Sequence, residues 1–120
     1  MKPSILIVDD DRAVRENLAK YLSNDYTTYI APNGFEAIKK VNENSDIEVI
    51  LSDLKMPEMD GLELLEKIKA GGRDMVTIFI TGFSTIESAV DAMRKGAYDY
   101  LTKPIDLNKL EITIKNAIEN

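Results

Sequence analysis

The chain has 120 residues, 44% hydrophobic and 30% charged, which suits one domain around a single core and leaves no room for a second. Its formal charge of −6 argues against direct nucleic-acid binding, because modules that grip phosphate backbones carry a basic face. There is no cysteine, hence no disulfide framework or thiolate metal site, and no histidine, so the commonest general base and phosphoryl-carrying side chain is missing.

The chain opens Met1-Lys2-Pro3-Ser4, and the apolar stretch that follows is far too short for a signal peptide or a membrane span; a cytoplasmic protein with no membrane partner is expected. Ile5 to Val8 reads as a strand, and the acidic run Asp9-Asp10-Asp11 follows it. Val14, Leu18 and Tyr21 then recur at helical spacing. The second strand is read over Tyr26 to Ala31, the second helix through Phe35, Ile38 and Val41. Glu48 to Ser52 is the third strand and ends at Asp53; Leu62, Leu65 and Ile68 mark the third helix, which Gly71-Gly72 ends. Thr77 to Ile80 is the fourth strand, followed by Thr81 and by a helical stripe of Ile86, Val90 and Met93 that stops at Gly96. The fifth strand spans Tyr98 to Leu101, shortly before Lys103, and Leu110, Ile114 and Ala117 carry the last helix. Asn33 before Glu36, Asp60 before Glu63 and Ser84 before Glu87 have the spacing of helix caps closed by a carboxylate three residues on.

Five strands alternating strictly with five helices imply right-handed crossovers and a parallel sheet covered on both faces, an α/β doubly wound fold. In such a sheet every strand points the same way, so residues at the C-terminal ends share one edge, where ligands bind beside the topological switch point. Asp9, Asp10, Asp53, Thr81 and Lys103 are therefore expected to converge.

Singly, each has an ordinary explanation. The aspartates after the first strand can cap a helix, Asp53 can sit in a turn, Lys103 can snorkel from a strand end, and Thr81 can be a β-branched strand residue. Tyr100 reads as core and Phe83 as packing. One helix needs only one cap, however. Two carboxylates about 5 Å apart repel by roughly 3 kcal/mol at an effective dielectric of 20, so clustering three of them calls for a cation. Magnesium, with its oxygen ligands and retained waters, suits two carboxylates, a backbone carbonyl and a phosphate oxygen.

A nucleotide enzyme of this architecture would carry a glycine-rich cradle after the first strand, where this chain has three aspartates. Phosphate must arrive with a metal instead, and a carboxylate can itself attack phosphorus to give an aspartyl phosphate. Asp53 is the candidate nucleophile, with Thr81 and Lys103 placed to contact the added oxygens.

Ile5-Leu6-Ile7-Val8-Asp9-Asp10, Ser52-Asp53-Leu54-Lys55-Met56-Pro57-Glu58-Met59-Asp60-Gly61, Ile80-Thr81-Gly82 and Tyr100-Leu101-Thr102-Lys103-Pro104 together resemble the receiver domain of two-component response regulators over the whole chain, residues 1–120. The resemblance implies a flavodoxin-like (βα)5 domain with strand order 2-1-3-4-5. It implies that Asp53 accepts a phosphoryl group from a sensor histidine kinase, that Asp9, Asp10, Asp53 and the backbone carbonyl of Lys55 hold Mg2+, that Lys103 pairs with a phosphate oxygen, and that Thr81 and Tyr100 act as the switch. Lys55 and Phe83 fall at places resembling the family's lifetime-tuning positions, and Gly82 stands where alanine is common. Thr85 to Tyr100 looks like the receivers of enhancer-binding transcription activators, so an output domain or a downstream target protein is the expected partner, with dimerisation through the fourth helix, fifth strand and last helix as a further expectation. A stand-alone messenger remains the alternative. Two rivals stay in view: a magnesium-dependent aspartyl phosphatase of the haloacid-dehalogenase-like class, which needs a second Asp where this chain has Lys55, and an interaction domain that keeps only the fold.

Overall fold

The computed structural model describes residues 2–82 and 85–119. Five strands, β1 (Ser4–Val8), β2 (Thr27–Ala31), β3 (Ile47–Ser52), β4 (Val76–Thr81) and β5 (Asp99–Thr102), alternate with five helices, α1 (Arg12–Leu22), α2 (Gly34–Glu43), α3 (Gly61–Ala70), α4 (Ile86–Arg94) and α5 (Leu107–Glu119). The strands form one parallel sheet in the order β2-β1-β3-β4-β5, as expected. Among the described residues no helix is long and apolar enough to cross a membrane.

The strand sequences explain their places. All five residues of β1 are buried, and β3 and β4 are nearly so, because a strand inside a doubly covered parallel sheet must be apolar on both sides. The edge strands β2 and β5 are shorter in apolar content and partly open to solvent. Strand residues of opposite parity divide between two cores. Ile5, Ile7, Val49, Leu51, Ile78 and Ile80 pack against Leu18 and Leu22 of α1 and Leu110, Ile114 and Ala117 of α5. On the other face Leu6, Val8 and Ile50 meet Ala37 and Val41 of α2 and Leu64 and Ile68 of α3, while Phe79 packs with Leu65 of α3 and Ala92 of α4. The chain thus changes faces between β1 and β3, and the switch point lies at their C-terminal ends.

Strand ends differ from the sequence reading by a residue where backbone pairing decides them. Tyr26 is outside β2 because its N–H closes on the carbonyl of Leu22 at the end of α1, and pairing begins with Ser4 opposite Thr27. Asn33 and Asp60 are the N-caps of α2 and α3, accepting from the N–H groups of Glu36 and Glu63 at 2.9 Å each, which is the cap half of the reciprocal pattern expected there. The cap of α4 is different. Ser84 lies outside the described residues, but the N-cap is Thr85, and Ser88 rather than Glu87 closes a reciprocal capping box. The stripe of Ile86, Val90 and Met93 locates α4 correctly yet is its outer face, 86%, 41% and 49% exposed, while small Ala92 is the residue turned inward. Phe35 is likewise exposed, and Ala37 and Val41 bury α2 in its place.

The link from β3 to α3 is tightly built. Met59 N–H closes on the carbonyl of Pro57 at 2.7 Å around Glu58, whose φ of 68° is a left-handed value uncommon for a side-chain-bearing residue. Met56 and Met59 anchor the loop in the core. At Gly61 a Cβ would stand 2.6 Å from the carbonyl oxygen of Asp53 and 2.7 Å from the Phe79 ring, with neither neighbour free to yield. Gly61→Ala is therefore expected to destabilise the domain by about 1–3 kcal/mol, read as a lower urea midpoint with an unchanged slope. An unaltered midpoint would contradict the close approach of α3 to the end of β3.

Candidate functional site

Three residues at the sheet's C-terminal edge sit just past their strands, and in each case the backbone N–H still bonds to the neighbouring strand. Asp9 N–H donates to Ala31 O at 3.2 Å, Asp53 N–H to Val8 O at 2.9 Å, and Lys103 N–H to Thr81 O at 2.9 Å. The sheet ladder thus fixes the origin of each side chain, leaving little but rotamer choice to bring them together.

They do come together. Lys103 Nζ lies 3.1 Å from Asp9 Oδ2 and 3.0 Å from Asp53 Oδ2, one ammonium bridging two carboxylates that are 94 and 50 residues away in sequence. Asp9 Oδ1 accepts from the N–H of Asp11 at 2.9 Å and Asp53 Oδ1 from the N–H of Lys55 at 3.2 Å. Asp9 is 3% and Asp53 9% exposed, while Asp10 is exposed beside them. Carboxylate oxygens from Asp9, Asp10 and Asp53 all lie within 4.8 Å of one another. That spread of hard oxygen donors, one open to solvent, fits a divalent cation that keeps several waters.

Asp11 takes no part in the cluster: its carboxylate caps α1, accepting from Ala13 N–H at 2.9 Å and Val14 N–H at 3.3 Å. The acidic run therefore divides its labour, one residue capping and two facing the site.

Burial raises the Asp9 carboxyl above the ordinary carboxylate range; the Asp11 N–H and the Lys103 ammonium pull it back down, and the charge of Asp53 adds a smaller upward push. For Lys103, burial works against the charged form, but hydrogen bonds to Asp53 and Asp9 and their charges outweigh it and lift the ammonium's pKa. The two shifts differ in origin: burial lifts the Asp9 carboxyl, while the two carboxylates lift the Lys103 ammonium against burial.

Around this centre, Thr81 is the last residue of β4, 1% exposed, and holds the Lys103 backbone through its carbonyl. Lys55 projects to solvent, with its backbone beside Asp53. Gly82 is exposed, and a Cβ there would meet Lys103 only at ordinary contact distances of 3.9 and 4.0 Å, so alanine would fit equally well. Tyr100, half-buried on β5, places its hydroxyl 2.9 Å from Ser88 Oγ on α4. Phe83 lies outside the described residues.

Sequence reasoning missed two residues. Arg15 of α1 turns back and donates from Nη1 to the backbone carbonyl of Asp9 at 2.8 Å, clamping the backbone of the first site aspartate from the helix side. Ser88, which meets Tyr100, is the second.

If the three carboxylates repel as their spacing implies, neutralising the exposed one relieves the fold. Asp10→Asn is expected to raise the thermal midpoint by about 1–4 °C in low salt without divalent cations, an effect that salt screens away. A lower midpoint by calorimetry would contradict the repulsion.

Residues 5–115 match the family described as "Response regulator receiver domain". The chain is 38% identical to the transcriptional regulatory protein ZraR of Klebsiella oxytoca over 95% of its own length, and 40% identical to the response regulator MprA of Mycobacterium sp. (strain KMS) over 92%. It spans only 26% of the first relative and 48% of the second. Among solved structures, a response regulator receiver protein from Pseudomonas putida superposes with a TM-score of 0.92 at 34% identity, covering 97% of this chain and 98% of that one. With the strand order 2-1-3-4-5 and the aspartate cluster at its switch point, the chain belongs to the response regulator receiver domains of two-component systems.

Proposed function

We propose that the chain is one receiver domain over residues 1–120 and a phosphorylation-activated switch, in which Asp53 accepts a phosphoryl group from the phosphohistidine of a sensor histidine kinase. The observation that carries this reading is the bridge from Lys103 to both Asp9 and Asp53, with Asp10 completing an oxygen cluster 4.8 Å across. The chain has no histidine of its own, so the donor imidazole comes from the partner.

Asp9, Asp10, Asp53 and the carbonyl of Lys55 are the groups that would hold Mg2+. When bound, the ion supplies positive charge that offsets both the carboxylates and the incoming phosphoryl oxygens. An Asp53 carboxylate oxygen attacks phosphorus, the N–P bond of the donor breaks, and its electron pair returns to the imidazole, which takes a proton from solvent. Lys103 then exchanges its Asp53 carboxylate contact for a phosphoryl oxygen, a charge-assisted bond needing little reach. Thr81, at the end of β4, bonds the phosphoryl group in this reading, and Tyr100 turns inward on β5 to follow it. Moving a domain from about 1% to 99% active requires the phosphoryl group to favour the active form by about 5.5 kcal/mol. A few charge-assisted bonds of roughly 1.5–3 kcal/mol each supply that.

The exposed Ile86, Val90 and Met93 on α4, with half-open Tyr98, support reading α4, β5 and α5 as the output surface, where an output domain, a target protein or a second receiver docks. The name of the relative ZraR, a transcriptional regulatory protein, supports transcription regulation as the output, and a cytoplasmic setting follows from that reading. The chemistry is limited to self-phosphorylation from a donor and slow autodephosphorylation. Lys55, where a phosphatase of the haloacid-dehalogenase-like class requires its acid, argues against turnover of phosphate esters.

Incubation with acetyl phosphate and Mg2+ is expected to add one phosphoryl group by intact mass, with no adduct on Asp53→Asn or after chelation of the metal. An adduct that persists in Asp53→Asn would overturn the assignment, and rapid multiple turnover of phosphate esters would favour the phosphatase.

A further inference from the structure

The least expected contact in the molecule joins the proposed switch tyrosine to the cap of α4. Ser88 Oγ has four polar neighbours: Thr85 N–H at 3.1 Å, Thr85 Oγ1 at 3.1 Å, the Thr85 carbonyl oxygen at 3.0 Å and the Tyr100 hydroxyl at 2.9 Å. Ser88 N–H in turn donates to Thr85 Oγ1 at 3.0 Å, completing the capping box. A serine hydroxyl has one proton and two lone pairs. With its proton on the Thr85 carbonyl and one lone pair taken by the Thr85 N–H, a single acceptor position remains, and two hydroxyls stand within reach of it, those of Tyr100 and Thr85.

This competition makes a latch of modest strength. While Tyr100 occupies the remaining position, its ring is held against α4, beside the buried Ala92, Ala97, Leu65 and Phe79. If Tyr100 leaves, the Thr85 hydroxyl takes the vacated lone pair, so the capping box survives and Ser88 Oγ keeps its proton and both lone pairs engaged. The contact biases where the tyrosine rests without making its departure prohibitive, which a two-state element needs. The packing allows it, because α4 turns small Ala92 inward and faces Ile86, Val90 and Met93 outward.

We propose that Ser88 is a positioning residue that holds Tyr100 on the α4 side and thereby lowers the fraction of switched molecules before phosphorylation. This rests on the reading of Asp53 as phosphoacceptor. Ser88 touches neither phosphorus nor metal ligands; it acts through Tyr100 alone.

Because apparent affinity for a phosphoryl mimic scales with the fraction of molecules already competent, cutting the latch is expected to tighten binding. A neutral hydrogen bond between hydroxyls corresponds to about a 2–10-fold change. The measurement is beryllium fluoride affinity in excess Mg2+ for wild type, Ser88→Ala, Tyr100→Phe and the double variant. Ser88→Ala is expected to tighten binding 2–10-fold when Tyr100 is present and to have no effect in the Tyr100→Phe background, which already lacks the bond but keeps the capping box. Equal effects in both backgrounds, as from simple fraying of α4, or no effect in either, would overturn the latch. A failure of Asp53 itself looks different: no chain binds the mimic, while Ser88→Ala still moves the Tyr100 ring signals of the unliganded protein in NMR. That result would retain the contact and overturn its link to phosphorylation.

Discussion

The bridge from the Lys103 ammonium to Asp9 and Asp53 is the interaction on which the rest of the molecule's chemistry depends. Without it, two nearly buried carboxylates and a third beside them would repel by several kcal/mol at the edge of a marginally stable domain. With it, the corner holds together while staying short of positive charge, and burial still lifts the Asp9 carboxyl. Such a corner is stable enough to fold and favours the arrival of a cation. The lysine's two bonds are the ones a phosphoryl oxygen on Asp53 would contest.

The sheet makes this geometry reproducible. Ladder bonds carry one residue past the ends of β1 and β3, and Thr81 O receives the N–H of Lys103 across the gap between β4 and β5. A side chain hung from a paired backbone has few degrees of freedom left, so the entropy of assembling the cluster is met by folding the core. Arg15 adds a second hold on Asp9 from α1, and Gly61 lets α3 approach the carbonyl of Asp53. These supports lie on rigid elements, whereas Tyr100 and α4 meet through small side chains and exchangeable hydroxyls. Rigid chemistry beside a loosely held tyrosine is what the proposed switch requires.

Much of this was legible in the sequence, because the two signals involved are strong. Short runs rich in β-branched residues, such as Ile5-Leu6-Ile7-Val8, bounded by turn formers, read as strands covered on both faces, and polar residues at the ends of such parallel strands share an edge. Asp9, Asp10, Asp53 and Lys103 followed from that. The stripe on α4 located the helix but not its burial, since apolar residues at helical spacing mark a face without saying whether core or solvent meets it. The α4 cap was misplaced by one residue because serine and threonine stand side by side there and both can cap, and Ser88 competed with Glu87 for the closing position. Arg15 escaped because its partner is a backbone carbonyl, which no side-chain pattern encodes, and Ser88 because its partner lies 12 residues away on another element.

The central claim is that occupation of the aspartate corner is transmitted through β4 and β5 to α4. Backbone NMR of the protein with Mg2+, before and after beryllium fluoride, tests it most directly. The account predicts shifts at Asp9 to Asp11, Asp53 to Lys55, Thr81 and Lys103, and further shifts of comparable size at Ser88 and Tyr100. Changes confined to the aspartate loops, with Tyr100 and α4 unmoved, would contradict it.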